Sequence, residues 1–182
     1  MSLTDLLRPL DLIFKRCQIR YAVIGGYAVA AWGEERATRD VDLLCSVGYS
    51  KALIDAMNDA HIRVEHRIGD HDDPISEVIR IEMGSVTDPS EVDILIGIRN
   101  APPGIFDRIR IVIVEDLAIP VASPEDLVIL KLLGGSARDL EDAKSVIQVQ
   151  ADKLDMNLIQ QLCPEQFRQS LQKLIESCST PL

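Results

Sequence analysis

Two aspartates flank a single valine in the segment YAVIGGYAVAAWGEERATRDVDLLCSV, and their spacing already specifies chemistry. Residues two apart on a strand point to one face, so Asp40 and Asp42 converge while Val41 and Leu43 turn to the other side. Two carboxylates in an otherwise apolar strand repel one another and are costly to bury unless something compensates them. A hard divalent cation, Mg²⁺ or Mn²⁺, held by one or two carboxylates together with substrate phosphates, is the ordinary solution. A third acid, Asp93, interrupts the apolar run EVDILIG. If that run is a neighbouring strand, Asp93 completes a triad able to hold two metals for an in-line phosphoryl displacement.

The diglycine Gly25-Gly26 supplies the other half of such a site. Glycines where a strand passes into a helix let the backbone approach a phosphate closely. The helix N-terminus beyond them offers unpaired N–H groups and the positive end of its dipole. Phosphate on Gly25 and Gly26 and metal on Asp40, Asp42 and Asp93 would bind the same nucleoside triphosphate.

These residues need strands and helices in alternation, and the periodicity provides them, giving an α/β or α+β class. Pro9 is expected to open a first helix through Cys17. Tyr21 to Ile24 reads as a strand, Gly25-Gly26 as a tight turn, Tyr27 to Trp32 as a short helix and Asp40 to Cys45 as a second strand. Ser50 is expected to cap a helix through Ala60. Ile62–Ile68, Glu77–Met83 and Glu91–Ile96 read as further strands, with shorter extended pieces at Arg110–Val114 and Pro120–Ala122. In ASPED, Ser123 caps a helix, Pro124 takes its first position and Asp126 stands three residues after the cap. Helices follow over Ala137–Val149 and, broken at Pro164, over the tail. Residues 1–122 are thus expected to form a catalytic core and 123–182 a C-terminal helical segment packed on it.

The chain has 182 residues, 47% of them hydrophobic and 26% charged, which fits a globular domain. No window approaches the run of about 20 apolar residues that spans a bilayer, and the N-terminus lacks the pattern of a signal peptide. A cytoplasmic protein is expected. Four scattered cysteines form no C-x-x-C pair and are read as reduced thiols. A net charge of -10 argues against wrapping a long stretch of nucleic acid, whose affinity comes from Lys and Arg on phosphates. His61, His66 and His71 share no helical face, GDHDDP reads as a solvated loop, and Tyr27 and Trp32 read as core packing.

The order strand, Gly-Gly, short helix, D-x-D, then a third acid on a later strand resembles the nucleotidyltransferase superfamily typified by DNA polymerase beta. The wording IGGYAVAAWGEERATRDVDLL is similar to the minimal prokaryotic branch that includes the toxins of abortive-infection systems. SPEDLVILKLLGGSARDLEDA is similar to that branch's helical signature of a Lys followed by an Arg-Asp stretch. The resemblance implies a mixed β-sheet flanked by helices. It also implies metal on Asp40 and Asp42, with Asp93 completing the metal site and positioning or deprotonating the acceptor hydroxyl. Phosphates would lie on Gly25 and Gly26, with Lys131 neutralising phosphate charge. Arg138, Asp139 and Asp142 would stand near the nucleotide or brace the helix, and Arg39, directly before the first acid, would reach phosphate or pair with a carboxylate. On the residues alone, Lys131 reads equally as a snorkelling surface cation. The function implied is Mg-dependent transfer of a nucleoside monophosphate from an NTP to a hydroxyl on a tRNA end, a protein or a small molecule, as in a toxin of a toxin–antitoxin or phage-defence system. The alternative is a module of the same fold that binds nucleotide or a partner without turnover. No large acceptor-binding domain is legible, which points to a partner protein or a homodimer.

Overall fold

The structure, a computed structural model, describes residues 2–34, 38, 40–85 and 88–179. Among them, seven strands form one mixed sheet. The strands are β1 (Tyr21–Ile24), β2 (Val41–Cys45), β3 (Val64–Ile68), β4 (Ile75–Ser85), β5 (Asp88–Ile98), β6 (Arg110–Val114) and β7 (Leu117–Val121). Their order across the sheet is β3-β4-β5-β2-β1-β7-β6. β2 pairs with β5 and β1 with β7 in parallel, and the other neighbours are antiparallel.

Period-two alternation on the central strands gives the sheet two unequal faces. Val41, Leu43 and Cys45 of β2, with Val92, Ile94 and Ile96 of β5, point into the main core. Helix α1 (Leu3–Arg16) adds Leu6, Leu7, Leu10, Ile13 and Phe14 to that core, and α3 (Ser50–Asp59) adds Leu53 and Met57. Each fully buried aliphatic side chain contributes about 1.5–3 kcal/mol of transfer free energy. The opposite face is sparser. There Ala22, Ile24, Leu44, Ile105 and Ala122 form a small second cluster, with Leu95, Ile98 and Leu130 at its margin. Because Asp42 and Asp93 have the parity of Leu44 and Leu95, they open onto this second face.

Helix starts differ from the sequence reading where side-chain chemistry overrides local rules. Helix α1 begins at Leu3 rather than at Pro9. Ser2 and Asp5 form a reciprocal capping box there, which satisfies two first-turn donors and leaves Pro9 inside the helix. Ser50 is the first residue of α3 and Tyr49 its cap, with no side-chain cap bond. The glycines are not a separate turn. Helix α2 (Gly25–Trp32) starts on Gly25 itself. Strand β2 starts at Val41, so Asp40 lies just outside it and is exposed.

Helix α4 (Pro124–Gly134) starts as read, with Ser123 accepting from the Asp126 N–H and Pro124 in the first turn. It ends on Gly135, whose φ of +68° is the left-handed conformation that suits glycine after a helix. Helix α5 (Ala137–Gln150) opens on a second capping box, Ser136 with Asp139. Helices α6 (Met156–Leu162) and α7 (Arg168–Ser179) complete the chain on either side of Pro164. Trp32 is packed against the core as expected and fastens α2, donating from Nε1 to the Ala122 carbonyl at 2.8 Å. All four cysteines are free thiols.

Candidate active site

Strand register sets the predicted acids in a row. Asp42 on β2 is directly opposite Ile24 on β1 and Asp93 on β5, and Asp93 is directly opposite Arg80 on β4. Adjacent strands lie about 4.8 Å apart, so the row is a continuous polar stripe across the centre of the sheet. Asp42 is half-buried, while Asp40 stands exposed at the entrance to the strand. Burial, and behind it the charge of Asp40, raise the Tyr27 phenol above its ordinary pKa, which places Asp40 within electrostatic reach of α2.

Gly25 makes the row possible. Its φ of +62° lies in the left-handed region, and a Cβ built there would come within 1.9 Å of Asp42 Oδ2. Only a residue without a side chain lets the start of α2 sit against that carboxylate. The N-cap of α2 is Ile24, which provides no side-chain cap bond. Backbone donors at a helix start are an ordinary seat for a phosphate. Gly26 follows, buried in the first turn.

Asp93 sits beside Asp42 with its carboxylate already engaged. Arg80 Nε donates to Oδ1 at 2.8 Å and Nη2 to Oδ2 at 2.7 Å. Those bonds, with the charge of Asp93, hold the Arg80 guanidinium above its ordinary pKa. Among the described residues, no group of three or more His, Cys, Asp or Glu side chains is arranged to hold a metal ion. Of the acids expected as a triad, Asp42 and Asp93 are direct neighbours in register, Asp93 is clamped by Arg80, and Asp40 lies just outside the strand.

A cavity of about 370 Å³ opens beside this row. Gly25 and Asp42 line it. Lys131, Gly134 and Asp139 come from α4 and α5, and Leu95, Ile98, Leu127, Leu130 and Phe167 provide apolar surface. The structure thus brings Gly25, Asp42, Lys131 and Asp139 to one cavity from four separate elements. Lys131 is not the solvated side chain that the sequence allowed. It is 12% exposed, and its Nζ lies 2.9 Å from Asp139 Oδ1 and 2.8 Å from Asp142 Oδ2. Burial acts to raise the pKa of Asp139, but hydrogen bonds from Ser136 and Lys131 outweigh it and hold the carboxyl below its usual value. Arg138 is exposed and does not line the cavity. Arg39 lies outside the described residues.

Three features of the site were not singled out from the sequence. Arg80 was one, although RIEM following VI carries the same signature as Asp93, a charge interrupting an apolar strand. The second is the buried Asp126, read only as a capping-position acid. It accepts from Arg108 Nε at 3.0 Å, from Arg108 Nη2 at 2.6 Å and from the Ser123 hydroxyl at 2.8 Å, which locks the start of α4 to the segment before β6. The third is Arg99, which lines the cavity and donates to the carbonyls of His71 and Asp72. That contact brings the GDHDDP loop, read as solvated, to the cavity rim through Asp72 and Pro74. No local pattern marks the latter two.

Comparison with known proteins gives this geometry a context. The model of the family described as nucleotidyl transferase AbiEii toxin, type IV toxin–antitoxin system, matches residues 6–177. No curated protein matches the chain by sequence. In fold, the chain is similar to the antibiotic-resistance factor ANT(2'')-Ia in complex with adenylyl-2''-tobramycin. The TM-score is 0.62 at 13% identity, covering 94% of this chain and 99% of that one. It is also similar to an antigenic nucleotidyltransferase-like protein from Paracoccidioides brasiliensis, with a TM-score of 0.56 at 17% identity, covering 96% and 92% of the two chains.

Proposed function

The chain belongs to the AbiEii nucleotidyltransferase toxin family of type IV toxin–antitoxin systems, and from that premise we propose that it transfers a nucleoside monophosphate from an NTP to a hydroxyl acceptor at the Asp42 row. The nucleotidyltransferase activity comes with the family, and the fold agrees with it. What supports placing the reaction here is the seating of Asp42 on Gly25, an acid held against the start of a helix in the wall of a cavity.

The donors fit a divalent cation of the hard, oxygen-loving kind. Asp40 and Asp42 offer carboxylate oxygens only, and a pair rather than a cage is what Mg²⁺ or Mn²⁺ takes when substrate phosphates complete its shell. When bound, such a cation neutralises phosphate charge and polarises the reacting phosphoryl group. The remaining work falls to the chain. The first-turn N–H groups of α2, from Gly25 and Gly26 onward, hold phosphate oxygens. Lys131 brings a positive charge to the same cavity, and Asp139 and Asp142 fix where that charge stands. Asp93 accepts the hydrogen bond of the acceptor hydroxyl. As the oxygen–phosphorus bond forms at the α-phosphate, the bond to pyrophosphate breaks and the hydroxyl proton passes to Asp93. Positioning and charge complementarity provide most of the rate in such chemistry.

The acceptor classes in view are a tRNA end, a protein or a small molecule. Membership in a toxin family favours a macromolecular acceptor and an antitoxin partner. Among the described residues no helix is long and apolar enough to cross a membrane. The deciding experiment incubates the protein with each of the four α-labelled NTPs, MgCl₂ or MnCl₂, and total tRNA or cell extract. Label on one macromolecule, lost in Asp42→Asn, is the expected result. No labelling by the unsubstituted protein with any nucleotide overturns this reading.

A further inference from the structure

Arg80 stands directly opposite Asp93 in register, and neither the metal ligands nor the phosphate seat account for it. It meets Asp93 through two parallel N–H bonds of 2.8 and 2.7 Å, the fork-to-fork geometry that only a guanidinium makes. Its Nη1 lies 3.5 Å from Glu91 Oε2, so the fork is held from a second side. The two side chains are 31% and 19% exposed, part-buried rather than solvated.

The strands are also joined along their whole ladder. β4 and β5 are eleven residues each and pair in continuous register from Ile75 opposite Ile98 to Ser85 opposite Asp88. What the pair does determine is the state of Asp93. A carboxylate offers about four acceptor positions, and the clamp uses one on each oxygen, leaving each oxygen able to accept once more. The clamp also cancels the charge of Asp93, so Asp42, its direct neighbour in register, does not face an unpaired like charge. The acid beside Asp42 is thereby fixed in plane before any acceptor arrives.

Resting on the function proposed above, we infer that Arg80 is a positioning residue for the acceptor half of the reaction: it orients the Asp93 carboxylate so that a hydroxyl can hydrogen-bond to it next to Asp42. In the proposed function nucleotide occupies the cavity that Gly25 and Lys131 line, and Arg80 does not line that cavity. Acceptor chemistry and nucleotide binding thus depend on different cations, Arg80 and Lys131.

The test compares Arg80→Lys, Arg80→Gln, Asp93→Asn, the double variant Arg80→Gln with Asp93→Asn, and Asp42→Asn. Two readouts are taken: label transfer from α-labelled NTP with MnCl₂ and cell extract, and the rise in melting temperature caused by MnCl₂ with NTP. Arg80→Lys keeps the charge and the stem but loses the fork. Both Arg80 variants are expected to lower transfer by about tenfold or more while keeping the nucleotide-induced rise. The double variant is expected to be no worse than Asp93→Asn, the mark of two residues acting as one unit. Wild-type transfer in Arg80→Lys or Arg80→Gln overturns the inference, and so does loss of the nucleotide-induced rise. If either Arg80 variant fails to fold, Arg80 is a structural strut and the inference is likewise overturned. Undiminished transfer in Asp42→Asn instead removes the function on which it rests.

Discussion

Gly25 packs directly against Asp42: a Cβ on Gly25 would sit 1.9 Å from Asp42 Oδ2. The glycine's absent side chain lets the start of α2 and the central acid of the site line one cavity. A left-handed φ of +62° adds a second reason for glycine, because a residue with a Cβ pays roughly 1–2 kcal/mol there.

Gly25→Ala should therefore destabilise the protein and disable the site together. The expected loss is about 2 kcal/mol or more in urea unfolding, the backbone penalty plus the displacement of Asp42. Transfer should fall with it. An alanine variant of wild-type stability and activity would show that Asp42 does not stand where Gly25 leaves room for it.

Binding of nucleotide with MnCl₂ should raise the melting temperature, because a ligand that binds only the native state stabilises it by mass action. Asp42→Asn is expected to abolish that rise while leaving the far-ultraviolet circular dichroism of the unliganded protein unchanged. A rise of the same size in Asp42→Asn would remove Asp42 from the cation site.

Lys131→Ala should lose both activity and stability. The two carboxylates held by its ammonium, one of them on the nearly buried Asp142, would be left facing each other, a loss of roughly 3 kcal/mol for a part-buried cluster of this kind. Transfer should drop by on the order of a hundredfold, as when a charge-stabilising donor leaves an active site. Lys131→Met, which keeps the stem, should recover part of the stability and none of the transfer. Recovery of transfer by methionine would assign Lys131 to packing alone.

The capping box at the start of α5 should be worth most near neutral pH. Asp139 has a pKa held below its ordinary value in the folded state, so its contribution is present above the unfolded carboxylate range. That contribution is lost as the pH falls through the still lower folded value. The window is below about pH 4. Ser136→Ala removes one of the bonds responsible and should cost about 1 kcal/mol at pH 7. Urea midpoints measured from pH 7 to pH 3 should show the difference between variant and wild type shrinking on the acid side. A difference that is constant with pH would mean that Ser136 acts only as a backbone cap.

Much of the site is written in residue types that local physics cannot use otherwise. Asp93 in an apolar strand and two adjacent glycines at a strand end are each costly or idle without a ligand, so Gly25, Gly26, Asp40, Asp42 and Asp93 could be singled out from the chain alone. Period two fixed which residues share a face, and the helix cap at Ser123 marked where α4 begins. Register and long-range pairing were not legible, because they depend on which strands become neighbours. Only the sheet order puts β4 beside β5 and β5 beside β2, and with that order Asp93 receives Arg80 as a partner. Only the packing of α4 on α5 turns Lys131 from a helix-surface cation into a buried one between two aspartates. The same holds for Arg108 and Asp126, and for Arg99 on the carbonyls of the 69–74 loop. Sequence spacing encodes which groups must be compensated, and tertiary structure decides by what, since a charge takes its partner from whatever the fold brings within about 3 Å.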